Sequence, residues 1–443
     1  MDLSTYQEIP GRSALTYTAT AAAATYRKIT LRLIPFLFLC YVAAYLDRIN
    51  VGFAQLQMKH DLAFSDGIYG LGAGVFFAGY FLFEVPSNLL LDRVGARKTL
   101  IRIMVLWGLT SAAMLFIQSP ITFYLLRFIL GACEAGFFPG MILYLTYWYP
   151  AKRRGRVMAL FLTAVAMAGV IGGPLSGWVM NSMAGMHGLS GWQWLFLIEG
   201  IPSCMLGVVA YFYLDDRPED ARWLDSEEKH IVADHLKRDQ EEGSSFSGLT
   251  FGRALRQPQV YKLALAWFTF ICGVYAISFW LPTMIKSAGV TDALSIGLLS
   301  AIPYAFAALT MVLISRHSDG CKQRRVHTAA CSMVGALALA AITATGTNLV
   351  LALVVLSIAT AAIFTLQPLF WAMTTDVLGG TRAAPGVIAA INSLGLLGGF
   401  VSPTILGWVK MMTGNLTNGL YVIALFLILG AIITLRFRPE LKK

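Results

Sequence analysis

Four charged side chains lie inside long apolar stretches of this 443-residue chain. Asp47 and Arg48 are neighbours in one stretch, and Arg127 and Glu134 lie seven residues apart in another. A charged group at the centre of a bilayer costs at least ~2.5–3.5 kcal/mol on insertion scales. Four such groups in one half of a chain indicate a buried, water-reachable site where protons and a charged solute meet.

The spacing of these residues divides the chemistry between them. Seven residues are two helical turns, so Arg127 and Glu134 share a helix face about 10 Å apart along its axis. Asp47 points about 100° away from Arg48, so neither is expected to neutralise the other. The planar fork of arginine matches a carboxylate, whereas a carboxyl group removed from water binds a proton more readily.

These properties assign a role to each residue. We expect Arg127, and less directly Arg48, to bind the substrate anion. We expect Asp47 and Glu134 to carry protons. The alternative is a set of buried ion pairs that only fixes helix packing, although such pairs contribute little net stability.

The composition identifies the elements that must position these residues. Hydrophobic residues make up 57% of the chain and charged residues 13%, whereas a soluble protein has about 25% charged residues. Long continuous apolar runs predict membrane-spanning helices, since the strands of a β-barrel would alternate instead. The net charge of +10 is concentrated in short loops at helix ends, which argues against a nucleic-acid partner.

A spanning helix needs about 20 apolar residues. Twelve segments meet this requirement: about 31–56, 68–91, 98–117, 121–149, 154–182, 192–214, 258–287, 293–315, 326–346, 349–375, 384–410 and 416–437. The fold class is therefore an all-α polytopic membrane protein in two six-helix bundles. Because the basic loops fall on one side, we expect both termini in the cytoplasm.

The helix pattern also predicts the domain boundaries. The expected units are a cytoplasmic tail at 1–30, an N-terminal bundle at 31–214, a cytoplasmic connector at 215–257, a C-terminal bundle at 258–437 and a tail at 438–443. Within the connector, Ser226 is expected to cap a short helix whose first turn is acidic.

Two features recur at nearly the same offset along the chain. Asp92 follows the second segment and Asp319 the eighth, and the difference between their numbers is 319 − 92 = 227. Glycine-rich runs begin at Gly169 and Gly395, for which the difference is 395 − 169 = 226. A shared offset predicts a parallel duplication, with a central cavity between the halves and alternating access by rocking.

The charged residues are not part of this repeat. The offset of the glycine-rich runs, added to their numbers, leads to Gly273, Val274, Leu353 and Thr360. The second half offers aromatic and neutral polar side chains instead: Tyr275, Trp280, Gln367, Trp371 and Asn392. This division predicts a solute held by charge on one side and by hydrogen bonds and ring faces on the other.

Other kinds of site find little support in the sequence. The six cysteines are scattered and no histidine pair has metal-ligand spacing, so we expect no metal and no cofactor. No nucleophile–base arrangement indicates an enzyme. Two further acids lie in apolar runs: Glu84 is expected to have a structural or gating role, and Glu199 is expected to be a structural partner.

The motifs resemble those of a known family. The run from Asp92 to Lys98 is similar to the loop motif of the major facilitator superfamily. The stretches from Arg127 to Gly140, Phe370-Trp371 and Ile391 to Phe400 resemble the anion:cation symporter family within it. The run from Tyr45 to Val51 is most similar to the tartrate and aromatic-acid permeases.

The resemblance implies proton-coupled import of a small organic anion, such as tartrate, an aromatic acid or a sugar acid, across a bacterial inner membrane by a monomer. It implies protonation of Asp47 and Glu134. Matching positions for substrate binding would be Arg127, Tyr45, Tyr80, Trp371 and Asn392, and the residue types add Arg48 and Gln367 to this set. Gating residues in and after the loop motif would be Asp92, Arg93, Arg97 and Asp319. Gln367-Pro368 replaces small hydroxyl residues common in sugar-acid carriers, which favours a short dicarboxylate or an aromatic acid.

Two alternatives stay open at this point. One is a proton-driven efflux carrier, because the glycine-proline segment of the fifth helix, 169–177, resembles that of efflux proteins. The other is a transport-dead sensor that binds the solute and signals through the connector. The connector is short and carries no output module that the sequence reveals.

Overall fold

A computed structural model of the protein describes residues 19–245, 256–321, 323–378 and 384–437, with the side chains of a few residues inside these ranges left out. The described helices are α1 (Ala19–Ile49), α2 (Val51–Asp61), α3 (Asp66–Val94), α4 (Ala96–Ala113), α5 (Pro120–Glu134), α6 (Phe137–Trp148), α7 (Ala151–Ser182), α8 (Gly191–Tyr213), α9 (Ser226–Ser245), α10 (Pro258–Ser287), α11 (Ala293–Cys321), α12 (Arg324–Ile342), α13 (Leu349–Leu378), α14 (Ala384–Thr413) and α15 (Leu416–Arg436). They supply twelve segments long and apolar enough to cross a membrane. The all-α prediction with twelve spanning helices is confirmed.

Two of the spanning segments consist of two helices each, and both lie in the N-terminal half. The first is α1 followed by α2, and the fourth is α5 followed by α6. Ala135 and Gly136 separate α5 from α6 with the backbone angles of a type II turn, in which Gly136 has φ +88°. A side chain on Gly136 would also meet the Cβ of Ser87 at 2.6 Å. Glycine is therefore required where the helix breaks.

Residues related by the repeat offset meet where the two halves join. Arg48 donates to the Tyr275 hydroxyl, and 275 − 48 = 227. A Cβ on Gly52 would lie 3.1 Å from the Phe279 carbonyl oxygen, and 279 − 52 = 227. Residues at or next to matching positions of the repeat touch each other only near a two-fold axis, so this axis passes between the first and seventh spans. The helix pairs α3/α14 and α7/α11 complete the interface on either side of it.

The halves are sealed at one end of the molecule. We call the end where α1 begins the termini face and the opposite end the far face. Towards the far face, small residues let backbones approach closely: a Cβ on Gly70 would lie 2.9 Å from the Gly407 Cα, and one on Gly177 would lie 3.0 Å from the Leu294 Cα. At the far face itself, Lys410 of α14 lies 3.1 Å from Asp66 of α3.

Several boundaries differ from the predicted ones. The first helix already begins at Ala19, because residues 19–24 are rich in alanine, the best helix former. The predicted tail at 1–30 therefore ends in helix, and its residues 1–18 lie outside the described part, as do 438–443. In the connector, the cap of α9 is Asp225 and not Ser226, since its Oδ1 accepts the Glu228 N–H at 2.7 Å.

The connector helix α9 packs against the start of α1. Lys28 forms an ion pair with Glu228 at 2.6 Å, and the rings of Tyr26 and His235 stack with their centres 5.8 Å apart. Partial burial, with Arg153 nearby, lowers the pKa of His235 below its usual value. The imidazole is thus neutral at pH 7 and stacks without a charge to desolvate.

Candidate functional site

A small cavity lies between the two halves, beside the two-fold axis. Both halves line it, and six of the predicted substrate-binding residues are among the lining side chains: Tyr45, Arg48, Tyr80, Gln367, Trp371 and Asn392. The cavity has about 40 Å³ of room for water, enough for about three molecules. An organic anion can bind only if the halves move apart from this conformation.

Arg48 is the charged group of this cavity. It projects from the end of α1 and forms an ion pair with Glu134, the last residue of α5. Its other terminal nitrogen donates to the Tyr275 hydroxyl at 2.9 Å, and the rings of Phe76 and Tyr80 lie 5.4 Å from its guanidinium carbon. With only 7% of its surface exposed, Arg48 joins the two halves through one buried cation.

Glu134 lies behind Arg48 and is fully buried. One carboxylate oxygen holds Arg48, and the other has no hydrogen-bond partner within the described parts of the chain. A buried carboxylate with a spare lone pair, held in an ion pair through its other oxygen, is sensitive to the loss of that ion pair. The turn at Ala135 and Gly136 ends α5 at this residue and so places its side chain at the end of a helix.

The wall from the C-terminal half is aromatic and neutral. The Trp267 ring stacks on Phe370 at 4.8 Å and meets Trp371 edge-on at 5.0 Å. Gln367 reaches the cavity, and within the described ranges its Nε2 has no hydrogen-bond partner. This wall therefore offers a ring face and a free amide N–H to a bound solute.

Arg127 lies elsewhere, although the sequence favoured it as the main anion contact. It is fully buried inside the N-terminal half and is not among the cavity-lining residues. Its Nε and one Nη donate to the carbonyl oxygens of Gly72 and Ala73 on α3, at 3.2 and 3.3 Å. The remaining Nη has no partner among the described residues. In this conformation Arg127 braces α3 and leaves the cavity to Arg48.

Asp47 also lies away from the cavity. It faces the interior of the N-terminal half, where Trp107, Ser111 and Ser203 donate to its carboxylate at 3.0, 2.7 and 2.6 Å. No described cation pairs with Asp47, whereas Glu134 pairs with Arg48. Because neighbouring residues on a helix point about 100° apart, α1 directs Arg48 to one side and Asp47 to the other.

Glu84 connects the two halves beside the cavity, a position that the sequence did not predict for it. Glu84 of α3 accepts hydrogen bonds from Ser393 at 2.6 Å and Asn392 at 3.2 Å on α14. Glu84 lies about 27 Å along α3 from the far face, while Tyr275 lies only about 18 Å along α10 from it. The contact therefore closes the cavity on the side of the termini face. An acid inside an apolar run was the signal in the sequence.

Two of the predicted gating residues, Arg97 and Asp319, form contacts within separate halves. Arg97 donates to the Tyr211 carbonyl at 2.9 Å, within the N-terminal half. Asp319 accepts from Arg324 at 2.8 Å, within the C-terminal half. Arg93 is exposed at the end of α3, and the side chain of Asp92 lies outside the described part of the structure.

Comparison with known proteins identifies the family. A family model described as the Major Facilitator Superfamily matches residues 37–403. The chain belongs to this superfamily. The resemblance seen in the motifs is thereby confirmed, and the family and its relatives are membrane transporters of small molecules rather than enzymes.

Relatives of similar length have several names. The chain is 46% identical over 409 residues to a "Putative tartrate transporter" from Agrobacterium vitis, covering 92% of this chain and 90% of the relative. It is 46% identical to "Putative metabolite transport protein NicT" from Pseudomonas putida, covering 94% and 95%. A "Quinolone resistance transporter" from Acinetobacter baumannii is 41% identical, with 92% and 93% covered.

Solved structures share the fold. The xylose transporter XylE from E. coli, in a partially occluded inward-open conformation, has a TM-score of 0.70 at 17% identity and covers 92% of this chain and 97% of its own. A bacterial homologue of the lysosomal transporter Spinster, in an inward-facing and occupied conformation, has a TM-score of 0.72 at 16% identity, covering 93% and 96%. At this identity the likeness establishes the two-bundle fold alone.

Proposed function

We propose that the protein is a proton-coupled symporter that imports a small organic anion by alternating access. The observation that carries this proposal is the position of Arg48, a buried cation in the cavity between the halves, paired with Glu134 and bonded to Tyr275. A fixed cation in this cavity can bind an anionic solute. Because both halves line the cavity, both must move before the solute is released.

The ion pair supplies a reason for coupling. While Glu134 is ionised, it occupies Arg48. Protonation of Glu134 removes its negative charge and frees the guanidinium fork for the carboxylate of the solute. Deprotonation returns the competitor and expels the anion. A proton and an anion are then carried together, because in so small a cavity neither an unpaired cation nor a cation with two competing anions is favourable.

The lining narrows the class of solute. Arg48 suits a carboxylate, the Trp267 and Trp371 rings suit a flat or apolar face, and the Gln367 amide suits an oxygen acceptor. A short hydroxy-dicarboxylate or an aromatic acid meets these requirements, and a relative named for tartrate supports the first. Asp47 and Arg127 keep their proposed roles in proton and anion binding, for conformations in which they become accessible.

The proposed setting is a bacterial inner membrane, with a monomer whose termini and 215–257 connector are cytoplasmic. Exposed basic residues at the termini face, such as Arg27, Arg93 and Lys98, support this orientation. The far face is then external and closed in this conformation. Asp92, Arg93, Arg97 and Asp319 are proposed to steady the alternative, outward-open arrangement.

Uptake by the purified protein in proteoliposomes tests the proposal. Labelled L-tartrate and a panel of aromatic and sugar acids are supplied outside, at an external pH about one unit below the internal pH. We expect accumulation of at least one acid that stops when a protonophore collapses the gradient. Accumulation unaffected by the protonophore, with a sodium gradient required instead, would refute proton coupling.

Proton-driven efflux is the second candidate, and the relative named as a quinolone resistance transporter favours it. The same vesicles separate the two functions. Efflux predicts that an acidic lumen drives the entry of a quinolone such as norfloxacin, whereas symport predicts that an acidic exterior drives the entry of an organic acid.

A further inference from the structure

A second polar cluster lies inside the N-terminal half, apart from the cavity. It has Asp47 at its centre, held by three donors from α4 and α8: Trp107, Ser111 and Ser203. Three donors satisfy a carboxylate well and stabilise its ionised form. Asp47 therefore has a setting built for a negative charge, with no ion-pair partner in the described ranges.

Glu199 is the other acid of this cluster. It lies one helical turn before Ser203 on α8, is 5% exposed, and accepts from Ser176 of α7 at 2.9 Å through Oε1. Its Oε2 has no partner within hydrogen-bond distance among the described residues. The side chain of Asn50 interacts with this carboxyl group from outside that distance. A carboxylate with one donor and one bare oxygen is poorly stabilised as an anion.

The charges around the two acids indicate that together they hold one proton. Asp47 and Glu199 interact electrostatically, and Glu134 on the other side of α1 adds further negative charge near Asp47. The other titratable neighbour is the Cys204 thiol, which lies against the Val105 carbonyl. Neither acid forms an ion pair with a described cation. Two interacting carboxyl groups in such a setting do not both ionise, and they titrate as a pair.

We propose that Asp47 and Glu199 form a second proton-binding site inside the N-terminal half, with Glu199 as the member that holds the proton. The assignment follows from the hydrogen-bond donors within reach of each acid. Three donors stabilise the ionised form of Asp47, whereas Glu199 has one close donor and is therefore the acid that stays neutral. Glu199 lies about 12 Å along α8 from the far face, while Ser203 at Asp47 lies about 18 Å from it. Glu199 is thus the member nearer the far face. The role of this site in transport rests on the proposed symport.

Infrared difference spectroscopy on the reconstituted protein tests the site without any substrate. The wild type should show, near neutral pH, the C=O band of a buried carboxylic acid that shifts in D₂O. Glu199→Gln keeps the acceptor for Ser176 and should lose this band, while Glu134→Gln and the exposed connector variant Glu227→Gln should keep it. A band of wild-type intensity in Glu199→Gln would overturn the assignment.

A second variant keeps the site testable if Glu199→Gln does not fold. Ser203→Ala removes one donor from ionised Asp47, so the pair should hold its proton more tightly and its band should titrate at higher pH. An unshifted titration in Ser203→Ala would contradict a shared proton.

Transport by the same preparations separates this inference from the proposed function. L-Tartrate serves as the probe. In Glu199→Gln, the stimulation of uptake by an acidic exterior should fall by about tenfold, while the affinity for tartrate should fall by less than about threefold. This is expected for a proton site away from the anion. Undiminished stimulation would remove Glu199 from coupling. Absence of stimulation in the wild type, with the infrared band present and lost in Glu199→Gln, would refute the symport and leave the proton site standing.

Discussion

The two halves of this protein share a fold and differ in chemistry. In the N-terminal half, Asp47, Arg48, Arg127 and Glu134 are all buried. Of these, Arg48 lines the central cavity, and the C-terminal half lines that cavity with aromatic rings and the amides of Gln367 and Asn392. Because the charges lie in one half, a single protonation there changes the affinity for an anion. The other half recognises the rest of the solute. Duplication supplied two frames, and only one carries charges at these positions.

The backbones differ in the same way. The N-terminal fourth span is interrupted at Glu134 by the turn at Ala135 and Gly136, whereas its counterpart α13 runs unbroken for 30 residues. Irregular backbone at membrane depth is tolerated where it is covered by protein or lines a cavity. The break thus coincides with the ion pair, and the uninterrupted helices α10 and α13 form the wall opposite it.

The largest expected effect comes from Arg48. Arg48→Lys keeps the charge but loses the fork that reaches both Glu134 and Tyr275, so tartrate uptake should fall by about 100-fold, equivalent to about 3 kcal/mol. Arg127 lies away from the cavity, so Arg127→Lys should lower tartrate uptake by only about tenfold. Initial uptake rates in proteoliposomes measure both, with exposed Arg27→Lys as the control. A larger loss in Arg127→Lys than in Arg48→Lys would return the anion site to Arg127.

Glu134→Gln tests whether charge in the N-terminal half couples transport. The neutral amide cannot release or take up the proton, so stimulation of uptake by an acidic exterior should drop by about 30-fold or be lost. Comparing uptake with and without the pH gradient checks this result. Normal accumulation of substrate by Glu134→Gln would show that its carboxyl carries no coupled proton.

Gln367→Leu tests recognition by the C-terminal half. It removes the amide N–H that is free to meet a solute oxygen, so the KM for tartrate should rise by about tenfold, as for one lost hydrogen bond of about 1.4 kcal/mol. Stimulation by the pH gradient should persist, which a two-condition uptake assay can establish. Loss of that stimulation would mean that coupling is not confined to the N-terminal half.

Tyr275→Phe should have the smallest effect of the set. It leaves the ring in place and removes the hydroxyl that Arg48 contacts across the two-fold axis, so uptake should fall by about threefold. Tyr421→Phe, at an exposed position on α15, is the matched control. A loss as large as that of Arg48→Lys would give this hydroxyl a direct part in binding the anion.

The sequence predicted most of the fold correctly. The twelve apolar runs were readable because membrane insertion requires long apolar segments, and the offset shared by two pairs of motifs was readable because a repeat preserves spacing. The beginning of α1 at Ala19 was missed because its first turns are not apolar enough to count as a span. The cap at Asp225 was missed because Ser226 is also a favoured capping residue.

The residue types, and with them the division between a charged and a neutral half, were determined by the sequence alone, since insertion energies apply to a helix before it packs. Only the tertiary structure decided which charge meets which. It gave Glu134 to Arg48, placed Arg127 against the carbonyl groups of α3, and brought the donors of α4 and α8 to Asp47. The physical reason is that helix periodicity fixes directions around one axis, while the partner in each direction depends on how the helices pack.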